Sequence, residues 1–202
     1  MNVVPPHAYQ VRSREQRFAG TMFEVVTDQV TMPGGRVVAR DYLRHVGAVA
    51  VVALDTDGRV VLVRQYRHPL GRALWELPAG LLDVAGEDLA AAAARELAEE
   101  ADQLTGRLDL LVDLHTSPGC STEVIRIFLA RELSVVPDAD RHERHDEEAD
   151  MQVAWFPLDD AVAMVFSGEI TNGPTVAGLL AAARARDEGW QRLRPAGTPL
   201  RR

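Results

Sequence analysis

The chain has 202 residues, 47% of them hydrophobic, which is enough for one globular domain with a substantial buried core. Its formal net charge of −8 disfavours a dedicated nucleic-acid binder, which needs a basic surface to meet phosphates. All 22 basic residues are arginine, which excludes lysine catalysis, and the single cysteine excludes an internal disulfide framework and a Cys-x-x-Cys zinc site.

The N-terminal residues and the apolar runs of the sequence bear on where in the cell the protein is located. The first residues contain two prolines and several charges and lack the apolar region of a signal peptide. The longest apolar run, GAVAVVAL, is too short to span a bilayer. We therefore predict a cytoplasmic protein that binds neither a membrane nor nucleic acid.

The first predicted elements are strands. FEVVTDQVTM and RVVARDYLRH alternate partly between apolar and polar residues and flank the turn PGG, which predicts a β-hairpin in an appendage over 1–45. The valine-rich stretches GAVAVVAL and RVVLVRQYR flank DTDG and predict a second, more deeply buried hairpin. LWELPAGLLDVAGED, with its proline and glycines, predicts a loop.

The rest of the chain predicts one helix, three strands and two further helices. Asp88 can cap a helix from Leu89 to about Asp102, because alanine and leucine dominate that stretch. Strands are predicted at LDLLVDLHT, VIRIFLAREL and MQVAWFPL, and helices at LDDAVAMVFSG and TVAGLLAAARARDEG. The order favours an α+β domain over 46–190, with a mixed sheet between helices, and a disordered tail over 191–202.

The helix that follows Asp88 carries three glutamates. At about 100° per residue, we expect the small residues around Leu97 to face the core and the glutamates to lie about opposite. Glu96 and Glu100 are one turn apart, roughly 6 Å along the axis, so both carboxylates can bind one cation beside Glu99. A solvated helix surface explains the helix alone equally well.

The spacing around this helix resembles the Nudix box, G-x5-E-x7-R-E-U-x-E-E-x-G-U, in which U is apolar. Gly80 is followed by six residues and Glu87, and then by seven residues and RELAEE. The chain departs from the pattern by one extra loop residue, by Asp102 at the terminal glycine and by Gln103 at the last apolar position. QYRH, WELPAG, TSPGCSTE and GEITN are similar to segments of the ADP-ribose pyrophosphatases in that family.

The resemblance implies a Nudix α/β/α sandwich with an N-terminal β-hairpin appendage through which two copies form a homodimer. It implies a metal-dependent hydrolase that converts ADP-ribose to AMP and ribose 5-phosphate. Two alternatives stay open, a Nudix hydrolase for another nucleoside diphosphate sugar or dinucleotide, and a non-catalytic ADP-ribose sensor. The retained glutamates favour an enzyme, because a sensor is free to lose them.

The resemblance also assigns roles within the box. It implies roughly two or three Mg²⁺ ions per active site, with Mn²⁺ as a substitute. The metal ligands are two bridging glutamates, an assisting glutamate and a backbone carbonyl, namely Glu96, Glu100, Glu99 and Ala79. Arg95 orients the carboxylates during catalysis, and Glu87 pairs with Arg95. The alternative for Glu87 is an acid at the positive end of the helix dipole.

Residues outside the box complete the predicted site. The resemblance implies a general base from an acidic loop, for which we predict Glu148 in RHERHDEEADM, with Glu147 as the second choice, although a solvated loop also explains this run. For Arg67 of QYRH we predict binding to the diphosphate, since a guanidinium fits phosphate with two hydrogen bonds; the alternative is an exposed surface side chain. Pro118 and Gly119 contribute to substrate binding.

Overall fold

The computed structural model describes residues 8–84, 86–144 and 150–200. The chain divides into two compact units. The smaller unit comprises Met1–Val46 and Ser117–Glu123, and the larger unit comprises Gly47–Thr116 and Val124–Arg202.

The smaller unit contains an antiparallel three-stranded sheet of β1 (Gln10–Ala19), β2 (Phe23–Thr31) and β3 (Val37–His45), in that order. The predicted β2–β3 hairpin is confirmed. The hairpin is extended by β1, which the sequence did not predict because all ten of its residues are exposed and none marks an inner face.

The second segment of the smaller unit runs beside β3. The Leu43 N–H donates to the Cys120 carbonyl oxygen at 2.8 Å, and the Thr122 N–H donates to the Leu43 carbonyl oxygen at 2.9 Å. These hydrogen bonds hold the TSPGCSTE segment against the sheet and leave Cys120 exposed.

The larger unit contains two sheets and three α-helices. Its elements in chain order are β4 (Ala48–Ala53), β5 (Arg59–Arg67), β6 (Arg72–Glu76), β7 (Ala79–Leu81), α1 (Leu89–Ala101), β8 (Gln103–His115), β9 (Val124–Val135), β10 (Gln152–Pro157), α2 (Leu158–Ser167), α3 (Gly173–Asp187) and β11 (Arg194–Pro195). One sheet has the order β11-β8-β9-β4-β7 and the other β10-β5-β6. The five-stranded sheet is mixed, because β4 is parallel to β9 and the other neighbours are antiparallel.

The core lies on both sides of β4, all six residues of which are buried. Ala50 and Val52 pack in a cluster with residues of α2 and α3, whereas Val49 and Val51 pack in a cluster with residues of α1. Alternate residues of a strand point to opposite faces, so β4 contacts helices on each side. The predicted α+β class, with a mixed sheet between helices, is confirmed.

Two predictions about strands and loops are wrong. GAVAVVAL and RVVLVRQYR form β4 and β5, but these belong to different sheets, because β7 and β9 occupy both edges of β4. The segment predicted as a loop contains β7 and most of β6, because pairing with β4 and β5 supplies hydrogen bonds that local propensity does not reveal.

The end of the chain also differs from expectation. Instead of continuing as an unpaired tail, Arg194–Pro195 pairs with β8, and Arg126 Nη1 donates to the Thr198 carbonyl oxygen. Arg126 is itself buried and bound by Asp113. In the described parts of the chain, no helix is long and apolar enough to cross a membrane.

Candidate active site

The glutamate-bearing helix α1 begins and ends as the sequence predicts. Asp88 accepts hydrogen bonds from the Ala90 and Ala91 N–H groups at 3.0 and 3.1 Å, which satisfies donors that a helix start otherwise leaves unpaired. At the other end, Asp102 has a left-handed backbone with φ 54° and closes the helix. Both ends follow from local chemistry.

The predicted orientation of the three glutamates is wrong for Glu100. Its side chain is buried, with 4% of the residue exposed, and it lies only about 60° around the helix from the buried Leu97. The side chains of Glu96 and Glu99 are 12% and 32% exposed. Glu100 therefore lies in the core, Glu96 is nearly buried, and Glu99 is partly exposed.

Glu100 is bound by the first residue of β7. The Ala79 N–H donates to Glu100 Oε2 at 2.8 Å, across 21 residues of sequence. Ala79 begins β7, and β7 is held by antiparallel pairing with β4. The five-stranded sheet thus brings Ala79 and Glu100, two of the predicted metal ligands, into contact.

Gly80 leaves room for Glu96. A Cβ atom built on Gly80 lies 2.0 Å from the Glu96 carboxyl carbon, far inside van der Waals contact. The Glu96 carboxylate therefore occupies the space that a side chain at position 80 would need, and any residue other than glycine here displaces it. This contact explains physically why the box pattern has a glycine here.

Arg95 binds three glutamates. Its Nε and Nη2 each donate to Glu87 at 3.1 Å, and its Nη1 donates to Glu96 at 2.7 Å and to Glu99 at 3.1 Å. The hydrogen bonds from Arg95 lower the pKa of Glu87, and the hydrogen bonds to Glu87 raise the pKa of Arg95. The predicted contact between Glu87 and Arg95 is present.

The carboxylates suit a hard divalent cation by their chemistry. All are oxygen donors; three of them contact the Arg95 guanidinium, and Glu100 contacts the Ala79 N–H. As these side chains stand, they turn towards Arg95 and Ala79. Within the described ranges, no group of three or more histidine, cysteine, aspartate or glutamate side chains is arranged to hold a metal ion.

Arg67, the predicted diphosphate ligand, lies at the end of β5 and forms an ion pair that the sequence did not predict. Its Nε and Nη2 donate to the two carboxylate oxygens of Glu76 at 3.0 and 2.7 Å. The Glu76 side chain is 4% exposed, so the pair holds the Arg67 guanidinium at the edge of the buried region. Its role on a substrate stays a prediction.

The last residue of the segment GEITN, Asn172, is linked through Thr175 to Leu77, which lies between β6 and β7. The Leu77 N–H donates to Thr175 Oγ1 at 3.0 Å, and Asn172 Oδ1 accepts from both the N–H and the hydroxyl of Thr175. Asn172 caps α3 through these bonds. An asparagine before Gly-Pro is a recognisable helix-start signal, but its link to Leu77 appears only in the tertiary structure.

A further residue that sequence reasoning missed is Arg144. Its Nη2 donates to the Glu100 carbonyl oxygen and to Asp102 Oδ2, both at 2.9 Å, and its Nε donates to the Glu99 carbonyl oxygen at 3.2 Å. The contact joins positions more than 40 residues apart, and no local signal marks it.

Four predicted site residues remain. Pro118 and Gly119 belong to the smaller unit. Glu147 and Glu148 lie outside the described residues. Their predicted roles therefore stay predictions.

Comparison with known proteins places this geometry in a family. The NUDIX domain family matches residues 44–178. An ADP-ribose pyrophosphatase of Mycobacterium tuberculosis is 47% identical over 192 residues, covering 95% of this chain and 91% of that protein. An ADP-ribose pyrophosphatase of Bacillus subtilis is 36% identical over 163 residues, covering 81% and 86%. The solved structure of an ADP compounds hydrolase is similar in fold, with a TM-score of 0.76 at 22% identity over 94% of this chain and all of that one.

Proposed function

Because the chain belongs to the Nudix hydrolase family, we propose that it hydrolyses the diphosphate linkage of ADP-ribose to AMP and ribose 5-phosphate. The observation that carries the proposal is the similarity over 95% of the chain to a relative named for this activity. The glutamates that the reaction needs stand together around Arg95 and Ala79.

We propose that the enzyme uses Mg²⁺, with Mn²⁺ as a substitute and roughly two or three ions per site. When bound, such cations neutralise the diphosphate charge and lower the pKa of the attacking water. Glu96 and Glu100 would hold the ions, Glu99 would assist, and the Ala79 carbonyl oxygen would supply a further ligand. The Ala79–Glu100 contact and the seat of Glu96 on Gly80 support this set.

Arg95 orients the carboxylates during catalysis rather than binding substrate. Its Nη1 contacts both Glu96 and Glu99, so one guanidinium restrains two proposed ligands. Glu87 binds the other two nitrogens and thereby limits the rotation of the Arg95 side chain. Any displacement of Arg95 therefore changes where the two carboxylates point.

Glu148 is the proposed general base, with Glu147 as the second choice. A carboxylate in this role accepts a proton from the water that attacks phosphorus. The support from the described residues is the position of Arg144, four residues before Glu148, on the carbonyl oxygens of Glu99 and Glu100. The chain thus reaches α1 immediately before the proposed base segment.

The proposed substrate site and the proposed dimer involve residues outside α1. Arg67 binds the diphosphate, and Pro118 and Gly119 contribute to the substrate site. We propose a cytoplasmic homodimer that pairs through the smaller unit, since the outer edge of β1 has no neighbour within the described residues and Val11 and Phe18 on it are exposed. Light scattering at micromolar concentration tests the dimer, and a strict monomer that retains activity contradicts it.

The decisive experiment is a product assay over ADP-ribose, other nucleoside diphosphate sugars and dinucleotides, each with and without Mg²⁺. We expect AMP and ribose 5-phosphate from ADP-ribose only with the metal. Faster cleavage of another member of the panel supports the second candidate, a Nudix hydrolase for that substrate. Tight binding of ADP-ribose without turnover indicates a sensor.

A further inference from the structure

The C-terminal end of α1 departs from the Nudix box at a structurally demanding position. Asp102 occupies the place of the glycine and has φ 54° and ψ 34°, a left-handed conformation that is unfavourable for most residues with a side chain. The Asp102 N–H donates to the Leu97 carbonyl oxygen, and its own carbonyl oxygen accepts from the Val136 N–H at 3.0 Å. The backbone there is thus held on both sides.

The aspartate side chain has a use that glycine lacks. Its Oδ2 accepts a hydrogen bond from Arg144 Nη2 at 2.9 Å, and the two side chains are only 25% and 22% exposed. The same guanidinium donates to the carbonyl oxygens of Glu99 and Glu100, which are among the four that a helix end leaves without partners. A cation at this end also interacts favourably with the helix dipole.

Glu99 and Glu100 are therefore held at two points. Arg144 binds their backbone carbonyls, while Arg95 and the Ala79 N–H bind their side chains. Movement of the last helical turn changes the position of both carboxylates. The last turn is also where a helix unwinds most easily, because its carbonyls have no intrahelical partner.

We propose that Arg144, held by Asp102, is a positioning residue that fixes the last turn of α1 and so keeps Glu99 and Glu100 in place for the divalent cation. The inference rests on the proposed metal-dependent function. It also explains the departure from the box pattern, because a glycine at position 102 removes the carboxylate that orients the guanidinium.

The experiment measures Mn²⁺ affinity by electron paramagnetic resonance on the full chain without substrate, in wild type and in Arg144→Gln, Arg144→Lys and Asp102→Asn. We expect Arg144→Gln to weaken Mn²⁺ binding roughly 10-fold or more, as for residues that orient metal ligands. Arg144→Lys restores part of the affinity, because an ammonium can donate to one carbonyl. Asp102→Asn keeps the left-handed backbone and removes the negative charge. We therefore expect a smaller loss of Mn²⁺ affinity, which measures the contribution of that charge.

The double variant supplies the sharpest discrimination. If Asp102 acts through Arg144, Asp102→Asn combined with Arg144→Gln weakens Mn²⁺ binding no more than Arg144→Gln alone. Arg141→Gln is the matched control, because Arg141 lies 4.0 Å from Asp102 and contacts Asp138 instead of the helix carbonyls. We expect its Mn²⁺ affinity to equal that of wild type.

Thermal unfolding in a chelator separates positioning from general stabilisation. A purely structural Arg144 lowers the melting temperature of Arg144→Gln but leaves its Mn²⁺ affinity unchanged, which would overturn the proposal. Equal Mn²⁺ binding by wild type and all variants, whether strong or absent, also overturns it, as does an additive double variant. Wild type that binds Mn²⁺ without cleaving ADP-ribose refutes the proposed substrate and leaves the Arg144 comparison intact.

Discussion

The two units each contain an arginine bound by carboxylates, but the charges balance in only one of them. In the smaller unit, Arg14 donates to both oxygens of Asp28 at 2.7 and 2.8 Å, and the Tyr42 hydroxyl lies within 2.9 Å of both partners. In the larger unit, Arg95 is shared among three glutamates.

The balanced cluster satisfies its own groups. The hydrogen bonds from Arg14 lower the pKa of Asp28, while burial and then the hydrogen bond to Asp28 raise the pKa of Tyr42. One cation, one anion and one neutral hydroxyl remain at neutral pH. Such a cluster stabilises a sheet and leaves no charge for a ligand.

The cluster around Arg95 brings three carboxylates onto one guanidinium. Glu87, Glu96 and Glu99 each accept a hydrogen bond from Arg95, and Glu100, on the same helix, accepts one from the Ala79 N–H. Like charges at helical spacing repel, so an added cation stabilises this cluster more than the cluster around Arg14.

The largest expected effect comes from Glu100→Gln, which should abolish Mg²⁺-dependent turnover. Glutamine can still accept the Ala79 N–H, so the fold should remain nearly intact while a metal ligand is lost. The measurement is ADP-ribose hydrolysis across Mg²⁺ concentrations, together with the melting temperature in chelator. Wild-type activity in this variant contradicts the assignment, and Glu15→Gln, an exposed position in the smaller unit, is the control.

Glu148→Gln should lower kcat by roughly 10²–10⁴ with little change in KM, because removing a general base affects the chemical step more than binding. Mn²⁺ affinity should fall much less than in Glu100→Gln. Steady-state kinetics and metal titration distinguish the two. A fully active Glu148→Gln beside an inactive Glu147→Gln moves the base to Glu147.

Gly80→Ala should reduce turnover roughly 100-fold, since the added methyl group overlaps the Glu96 carboxylate and a displacement of about 1 Å is enough to misalign a catalytic group. The matched control is Gly197→Ala, where an added Cβ atom meets nothing within 4 Å. Equal activity in both variants shows that Glu96 can move away without consequence and argues against it as a ligand.

Asp28→Asn should have the smallest effect on activity and act on stability instead. Because the folded pKa of Asp28 is lowered, the ion pair stabilises the fold above the unfolded pKa of about 4, and this contribution is lost as the pH falls through the folded pKa. We expect the variant to melt roughly 2–4 °C below wild type at pH 7. The difference in melting temperature between the variant and wild type should disappear at acid pH, and the Mn²⁺ affinity of the variant should be unchanged.

Features with local causes were predictable from the sequence. The helix from Asp88 to Asp102 depends on a cap, a run of helix formers and a residue that tolerates a left-handed backbone, all within 15 consecutive positions. The β2–β3 hairpin depends on its turn and its alternation. The box resemblance depends only on the order of residues, and the comparison confirmed the family.

Features with distant causes needed the tertiary structure. The pairing of β4 with β9 and β7, the burial of Glu100 and the bonds from Arg144 to α1 each join segments that are 20 to 80 residues apart. Hydrophobic pattern indicates that β4 is buried but not which strands occupy its edges, because every buried strand offers the same backbone donors and acceptors. Which carboxylate meets which partner was therefore decided by the packing of the sheet against α1.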